Sequence, residues 1–202
     1  MTEDSTLQTL SAELAERDWA VREGYLDLPR VAGLRAEANA LFTGGHFRTA
    51  GIGQQGERHA EIRGDSLLWL APDITPLAWA VLQQELDALR LAVNAATYLG
   101  LHEFEGHYAA YPPGTSYARH LDRFREGNQR VVSLVLYLNA DWGADDGGEL
   151  RLYPEGPQAT GPVTLSPRGG TLICFLSEAE PHEVLAARRL LLALTGWFRR
   201  RG

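Results

Sequence analysis

The sequence predicts an α+β chain with a mainly β core of sandwich or jelly-roll type, supported by a helical N-terminal half. Two observations predict it. Apolar residues recur at helical spacing up to Gly100, and beyond it the pattern changes to short strands separated by turns. Eight candidate strands in the second half are the density expected of a two-sheet fold. At 202 residues one domain is expected over 1–202, with helical support over about 1–100 and the β core over about 101–200.

In the first candidate helix, Leu7, Leu10, Leu14 and Ala15 share a face, with Ser5 or Thr6 as the expected cap. Pro29 opens a second through Leu41-Phe42, with Leu34, Ala38 and Leu41 on one face and Gly44-Gly45 ending it. A third runs from Pro76 to about Tyr98 and is closed by Gly100; its apolar face takes in Leu77, Val81, Leu82, Leu86, Leu89 and Val93. Between the second and third, Arg48 to Leu70 reads as a short strand, a loop containing Gly51, Gly53 and Gly56, and a second strand. The β half then offers strands at 102–111, 117–121, 130–138, 148–153, 162–165, 171–176, 182–185 and 189–198. The run Val131–Leu138 is nearly all apolar, as in a strand buried on both faces.

A net charge of -7 argues against nucleic-acid or membrane-surface binding. Arg199-Arg200-Arg201 reads as a solvated tail. Cys174 is the only cysteine and sits in an apolar run, so it reads as a core residue in a reducing compartment. The polar, acidic N-terminus does not read as a signal peptide, and no run of about 18 apolar residues suggests a membrane span. A cytoplasmic monomer is expected.

The chemistry-bearing residues are His120, Asp122 and His182. Two imidazoles and one carboxylate are the donor set of a facial Fe(II) site, which leaves three octahedral positions open. On an extended strand, residues i and i+2 point to one side, so His120 and Asp122 can grip one ion from one segment. The same donors also suit a mononuclear Zn site, and a sugar-binding jelly roll is a further reading. His46, His59, His102 and His107 have no motif partner and read as structural or surface residues.

The surroundings of the triad carry a resemblance. Tyr111-Pro112-Pro113-Gly114-Thr115-Ser116-Tyr117-Ala118-Arg119-His120-Leu121-Asp122 resembles the metal-binding segment of the prolyl 4-hydroxylase-like Fe(II)/2-oxoglutarate dioxygenases. So do Tyr137-Leu138-Asn139, Gly147-Gly148-Glu149-Leu150, Pro181-His182-Glu183-Val184 and Thr195-Gly196-Trp197-Phe198. Ile62-Arg63-Gly64-Asp65 followed by Trp69 is similar to the finger loop of the oxygen-sensing prolyl hydroxylases and their bacterial relatives. The resemblance spans about residues 25–200.

It implies a distorted double-stranded β-helix with Fe(II) on His120, Asp122 and His182. It implies 2-oxoglutarate and O2 as cosubstrates, with ascorbate as a reductant, and hydroxylation of an exposed proline in a protein substrate with release of succinate and CO2. Tyr111 and Tyr137 match cosubstrate-pocket tyrosines, while Arg63, Asp65, Arg130 and Trp197 match positions that meet or flank the substrate. The family holds the far carboxylate of 2-oxoglutarate with an arginine nine residues after the second histidine; here that position is Leu191. Arg189 shares strand parity with Leu191, about 6–7 Å away, and is expected to take the anchor's place. The alternative is a lost anchor and a metal-binding but catalytically impaired chain that acts as a proline-peptide binding module.

Overall fold

The computed structural model describes residues 3–51, 59, 61–122, 129–155 and 159–201. Three helices, α1 (Glu3–Arg17), α2 (Leu28–Thr43) and α3 (Pro76–Thr97), precede most of the strands. The strands are β1 (Trp19–Arg22), β2 (Arg48–Thr49), β3 (Ser66–Trp69), β4 (Glu103–Tyr111), β5 (Tyr117–His120), β6 (Arg130–Tyr137), β7 (Leu150–Leu152), β8 (Val163–Leu165), β9 (Leu172–Leu176), β10 (His182–Val184) and β11 (Leu191–Arg199). They form a seven-stranded antiparallel sheet in the order β1-β9-β6-β11-β4-β3-β2 and a four-stranded one in the order β5-β10-β7-β8. This is the α+β, mainly β jelly roll that the strand spacing predicts.

Strand alternation sorts the large sheet into two faces. Leu192, Leu194 and Phe198 of β11, with Leu134 and Leu136 of β6 and Tyr108 of β4, pack beneath the helices. The alternate residues Leu191, Ala193, Val135, Tyr137, Ala109 and Tyr111 face the smaller sheet. The sheet is thus buried on both sides, which is why 131–138 is apolar without a break. Cys174 lies fully buried on the helix side, and burial pushes its thiol up, as fits a core residue.

The helices grip this sheet through polar as well as apolar contacts. Asp27 caps α2 by accepting from the Arg30 backbone N–H. Glu37, on α2, accepts from the N–H groups of Leu77 and Ala78 at the start of α3 and from the buried Tyr108 hydroxyl of β4 (2.7, 3.2 and 2.8 Å). One carboxylate therefore caps α3 and ties two helices to the sheet.

Several expectations change. The first helix already includes Glu3, so Ser5 and Thr6 lie inside it rather than at its cap. β1, absent from the sequence reading, pairs with β9; only four residues long, it carries no alternation that a sequence can display. Leu77 is partly exposed, and Ala78 takes the buried position on α3. Tyr98, not Gly100, is the left-handed residue that stops α3 (φ 56°). Gly53 and Gly56 lie outside the described residues. No helix among the described residues is long and apolar enough to cross a membrane.

Candidate metal centre and cavity

His120 ends β5 and His182 begins β10, and the two are direct register partners across that antiparallel pair. Opposed residues share a face, so the imidazoles converge, with ring centroids 4.2 Å apart. Asp122 stands in the bend just past β5, so the turn, rather than strand parity alone, brings it to the histidines. Its Oδ1 lies 3.5 Å from His120 Nε2 and 3.8 Å from His182 Nε2. Among the described residues these three form the one group of histidine, cysteine and acidic side chains spaced to hold a metal, their ligand atoms all lying within 4.8 Å of one another.

The remaining atoms of each candidate ligand are occupied. His120 Nδ1 donates to the Ala118 carbonyl (2.8 Å) and His182 Nδ1 to the Glu180 carbonyl (3.0 Å), which leaves both Nε2 lone pairs facing Asp122. Asp122 Oδ2 accepts from Ser133 Oγ (2.6 Å) and Trp197 Nε1 (2.9 Å), and Ser133 is in turn bonded to Ser177 (2.9 Å). Burial alone would raise the Asp122 pKa, but the two imidazoles and the Ser133 hydroxyl override it and hold the carboxyl well below the usual range. Burial, aided by His120, pulls His182 down to about 4, against the opposing pull of Asp122. A permanently ionised carboxylate beside the neutral His182 imidazole is the protonation state a divalent cation needs.

The triad opens on a cavity that Arg63, Tyr111, Tyr117, Tyr137, Leu191 and Trp197 also line. Tyr117 stacks on His120 at 3.6 Å, and the Arg63 guanidinium sits 4.5 Å over the Tyr117 ring. Arg63 pairs bidentately with the fully buried Asp65 (2.6 and 3.0 Å). Burial works against the Arg63 charge, but Asp65 overrides it and keeps the guanidinium cationic. The Tyr137 hydroxyl is buried without a hydrogen-bond partner among the described residues; burial first and Glu149 second raise its pKa, so it stays protonated and able to donate.

Three sequence-predicted residues do not line this cavity. Asp65 stands behind Arg63 as its counter-ion. Arg130 stacks on the Trp197 ring (3.4 Å) and bonds Glu105 (2.7 Å). Arg189 is the main correction. β11 begins only at Leu191, so Arg189 falls in the preceding bend, where strand parity does not apply. Its side chain is 42% exposed, donates to the Ala140 carbonyl (2.8 Å) and lies over Trp142. Leu191 itself is 1% exposed and faces the cavity opposite Tyr111 in register. Gly148, at φ 75°, passes directly over it: a Cβ there would meet Leu191 Cδ1 at 2.6 Å. Ser133, His107, Thr195 and Tyr117 were missed as site residues. For Ser133 and His107 the available signal was parity with Tyr137 and Tyr111 on their own strands.

Comparison with known proteins agrees with this geometry. Residues 106–199 match the family model of the 2OG-Fe(II) oxygenase superfamily. The chain is 32% identical over 173 residues to Egl nine homolog 1 of Homo sapiens, covering 80% of this chain and 39% of that one. It is 39% identical over 94 residues to the hypoxia-inducible factor prolyl hydroxylase of Caenorhabditis elegans, covering 45% of this chain and 12% of that one. The chain thus spans well under half the length of these curated relatives. The crystal structure of a Pseudomonas putida prolyl-4-hydroxylase superposes with TM-score 0.86 at 42% identity, covering 97% of this chain and all of that one. A prolyl hydroxylase from Trichoplax adhaerens, in complex with a hypoxia inducible factor oxygen degradation domain peptide fragment, superposes with TM-score 0.89 at 25% identity, covering 98% and 90%.

Proposed function

Because this chain belongs to the 2OG-Fe(II) oxygenase superfamily, we propose that it is an Fe(II)- and 2-oxoglutarate-dependent dioxygenase that hydroxylates a prolyl residue of a protein substrate. The observation that carries the reading is the His120, Asp122 and His182 cluster inside the cavity, on a fold shared along its whole length with a bacterial prolyl-4-hydroxylase.

The residues present fit the metal: the donor set is facial, the carboxylate is ionised, and each imidazole has its Nδ1 tied back. They fit 2-oxoglutarate at the orphaned Tyr137 hydroxyl, which is a donor without an acceptor until a ligand supplies one. When bound, Fe(II) and 2-oxoglutarate supply the oxidising chemistry, consuming O2, releasing succinate and CO2 and leaving one oxygen atom on the substrate carbon. The chain's own part is positional. Ser133 and Trp197 hold Asp122 in place, Tyr117 braces His120, and the Trp197 indole walls the cavity. Arg63, held cationic by Asp65, provides the charge on the cavity wall. Leu191 offers no charge, so the far carboxylate of 2-oxoglutarate would be met by the Tyr137 hydroxyl rather than by a guanidinium at position 191.

The substrate is a protein segment with an accessible proline, met by a monomer. The buried lone cysteine supports a cytoplasmic setting. The test is titration of the anaerobic Fe(II) protein with 2-oxoglutarate, followed by its metal-to-ligand charge-transfer band, then aerobic incubation with proline-centred peptides. Succinate release matched by the gain of one oxygen on proline supports the reading; a protein that gives no band and no succinate defeats it.

A further inference from the structure

β4 brings to the cavity a residue that metal binding does not use. His107 is 2% exposed, shares parity with Tyr111 and lines the same cavity as the candidate metal ligands. Its ring packs edge-on against Trp69 and tilted against Trp197, with centroids at 5.1 and 5.4 Å, and the two indoles touch each other at 6.3 Å, so the three rings form one cluster. These contacts fix the ring plane but engage neither nitrogen, and Nδ1 is buried with no hydrogen-bond partner among the described residues. A buried polar atom left unsatisfied is destabilising. An apolar ring would complete this aromatic cluster without that cost, so packing alone does not account for a histidine here.

The character of the ring narrows what it can bind. Burial, with the charges of Arg63 and Arg130, pulls its pKa down to about 3, so it is a neutral imidazole with one N–H donor and one lone pair. Directly opposite in register is Thr195, which also lines the cavity. That stretch of wall therefore offers two uncharged hydrogen-bonding groups beside the Trp197 indole, with no ion pair of its own. It suits an uncharged polar group, and a peptide supplies one at every residue. A prolyl residue has no N–H, so its main chain presents carbonyl oxygen alone and needs donors from the protein.

We propose that His107 is a specificity-determining residue, donating a hydrogen bond from its ring to a main-chain carbonyl flanking the target proline. The inference rests on the prolyl hydroxylase reading, and the experiment separates the two. Protein loaded with Mn(II) and 2-oxoglutarate, without O2, is screened against an array of proline-centred peptides, and the tightest binder is followed by calorimetry. The same peptide is also made with a thioamide, a weaker acceptor, in place of each carbonyl flanking the proline. His107→Phe is expected to weaken peptide binding about 5–10-fold, the loss of roughly one neutral hydrogen bond. Mn(II) and 2-oxoglutarate affinities are expected to stay unchanged, and His107→Gln, which keeps a donor, to recover part of the loss. One thioamide is expected to cost wild type a similar factor and to cost His107→Phe nothing further. Equal binding by wild type and His107→Phe, or the same thioamide penalty in both, overturns the role of His107 while the prolyl hydroxylase reading stands. If wild type binds 2-oxoglutarate but no peptide of the array, both fall together.

Discussion

Around Asp122, Ser133 and Trp197 hold the Oδ2 atom, and the Ala118 and Glu180 carbonyls hold the Nδ1 atoms of the two neighbouring imidazoles. Around Leu191, in the same cavity, Val135, Leu150 and Ala193 add apolar wall, and the buried Tyr137 hydroxyl has no partner among the described residues. The first region is organised before any ligand arrives. The second depends on its ligand to satisfy what it buries. Affinity for metal is therefore expected to be set by the protein, and affinity for cosubstrate to be the adjustable quantity.

The sharpest way to break this contrast is to remove a ligand from the organised region. His182→Ala is expected to abolish Fe(II) binding, and with it 2-oxoglutarate binding, as read by metal analysis and by the charge-transfer band. Retained stoichiometric iron would show that the metal sits elsewhere.

Acid strains the same region next. His182 is pulled down to about 4 and His107 to about 3, both below the ordinary histidine value of 6.5. A depressed folded pKa means that the unfolded chain binds more protons between the two values. The stability these neutral rings contribute is thus fully present above about pH 6.5 and is lost as pH falls towards 4 and then 3. Each ring contributes a slope of about 1.4 kcal/mol per pH unit within its window. Urea unfolding of the metal-free protein from pH 7 to pH 4 measures this, and His107→Phe should flatten the slope.

The two regions also differ in how far the sequence discloses them. His120, Asp122 and His182 are legible because donor type, spacing and flanking residues are all local properties, and Tyr111, Tyr137, Arg63 and Trp197 follow from the motifs around them. The helices and strands of the core were legible for the same reason: period 3.6 before Gly100 and period 2 after it. Arg189 was misplaced because parity holds only within a strand, and the start of β11 at Leu191 is set by pairing with Tyr111, a contact eighty residues away in the chain. His107 and Ser133 were missed because what marks them is tertiary: a ring clustered with two tryptophans, and a hydroxyl reaching a carboxylate eleven residues earlier. β1 was missed because four residues that pair with β9 carry no pattern of their own.

Leu191→Arg tests the second region from the opposite direction, by adding what it lacks. A charge-assisted bidentate pair contributes about 1.5–3 kcal/mol, so the variant should bind 2-oxoglutarate roughly 10–100-fold more tightly. Without cosubstrate it should be less stable than wild type, because it buries an unpaired guanidinium, and 2-oxoglutarate should restore that stability in a thermal-shift assay. Arg189→Ala should leave affinity unchanged, since that side chain bonds Ala140 outside the cavity. Unaltered affinity in Leu191→Arg, or a loss in Arg189→Ala, would return the anchor role to Arg189.

Ser133→Ala probes the support of Asp122 without touching a ligand. Partners of this kind typically change metal affinity 10–100-fold when lost, and Trp197 still holds the same oxygen, so about tenfold weaker Fe(II) binding is expected. Competition against a metal-sensitive dye reads it. An unchanged affinity would mean that Asp122 is already fixed by Trp197 and that Ser133 matters only to Ser177.

Tyr137→Phe, of about the same size in expectation as Ser133→Ala, discriminates best between satisfied and unsatisfied design. If the hydroxyl donates to the far carboxylate, its loss weakens 2-oxoglutarate binding by about 1–2 kcal/mol, or roughly 5–30-fold, with Fe(II) affinity unchanged. If the hydroxyl merely lies buried, removing it relieves an unsatisfied donor, so the ligand-free protein gains stability and affinity does not move. Both arms predict a more stable ligand-free variant. Only the first predicts that the gain disappears at saturating 2-oxoglutarate, because the wild-type hydroxyl then has its partner. Combining Tyr137→Phe with Leu191→Arg completes the cycle: a non-additive loss of affinity would place both side chains on one carboxylate, and simple additivity would place them on separate parts of the ligand.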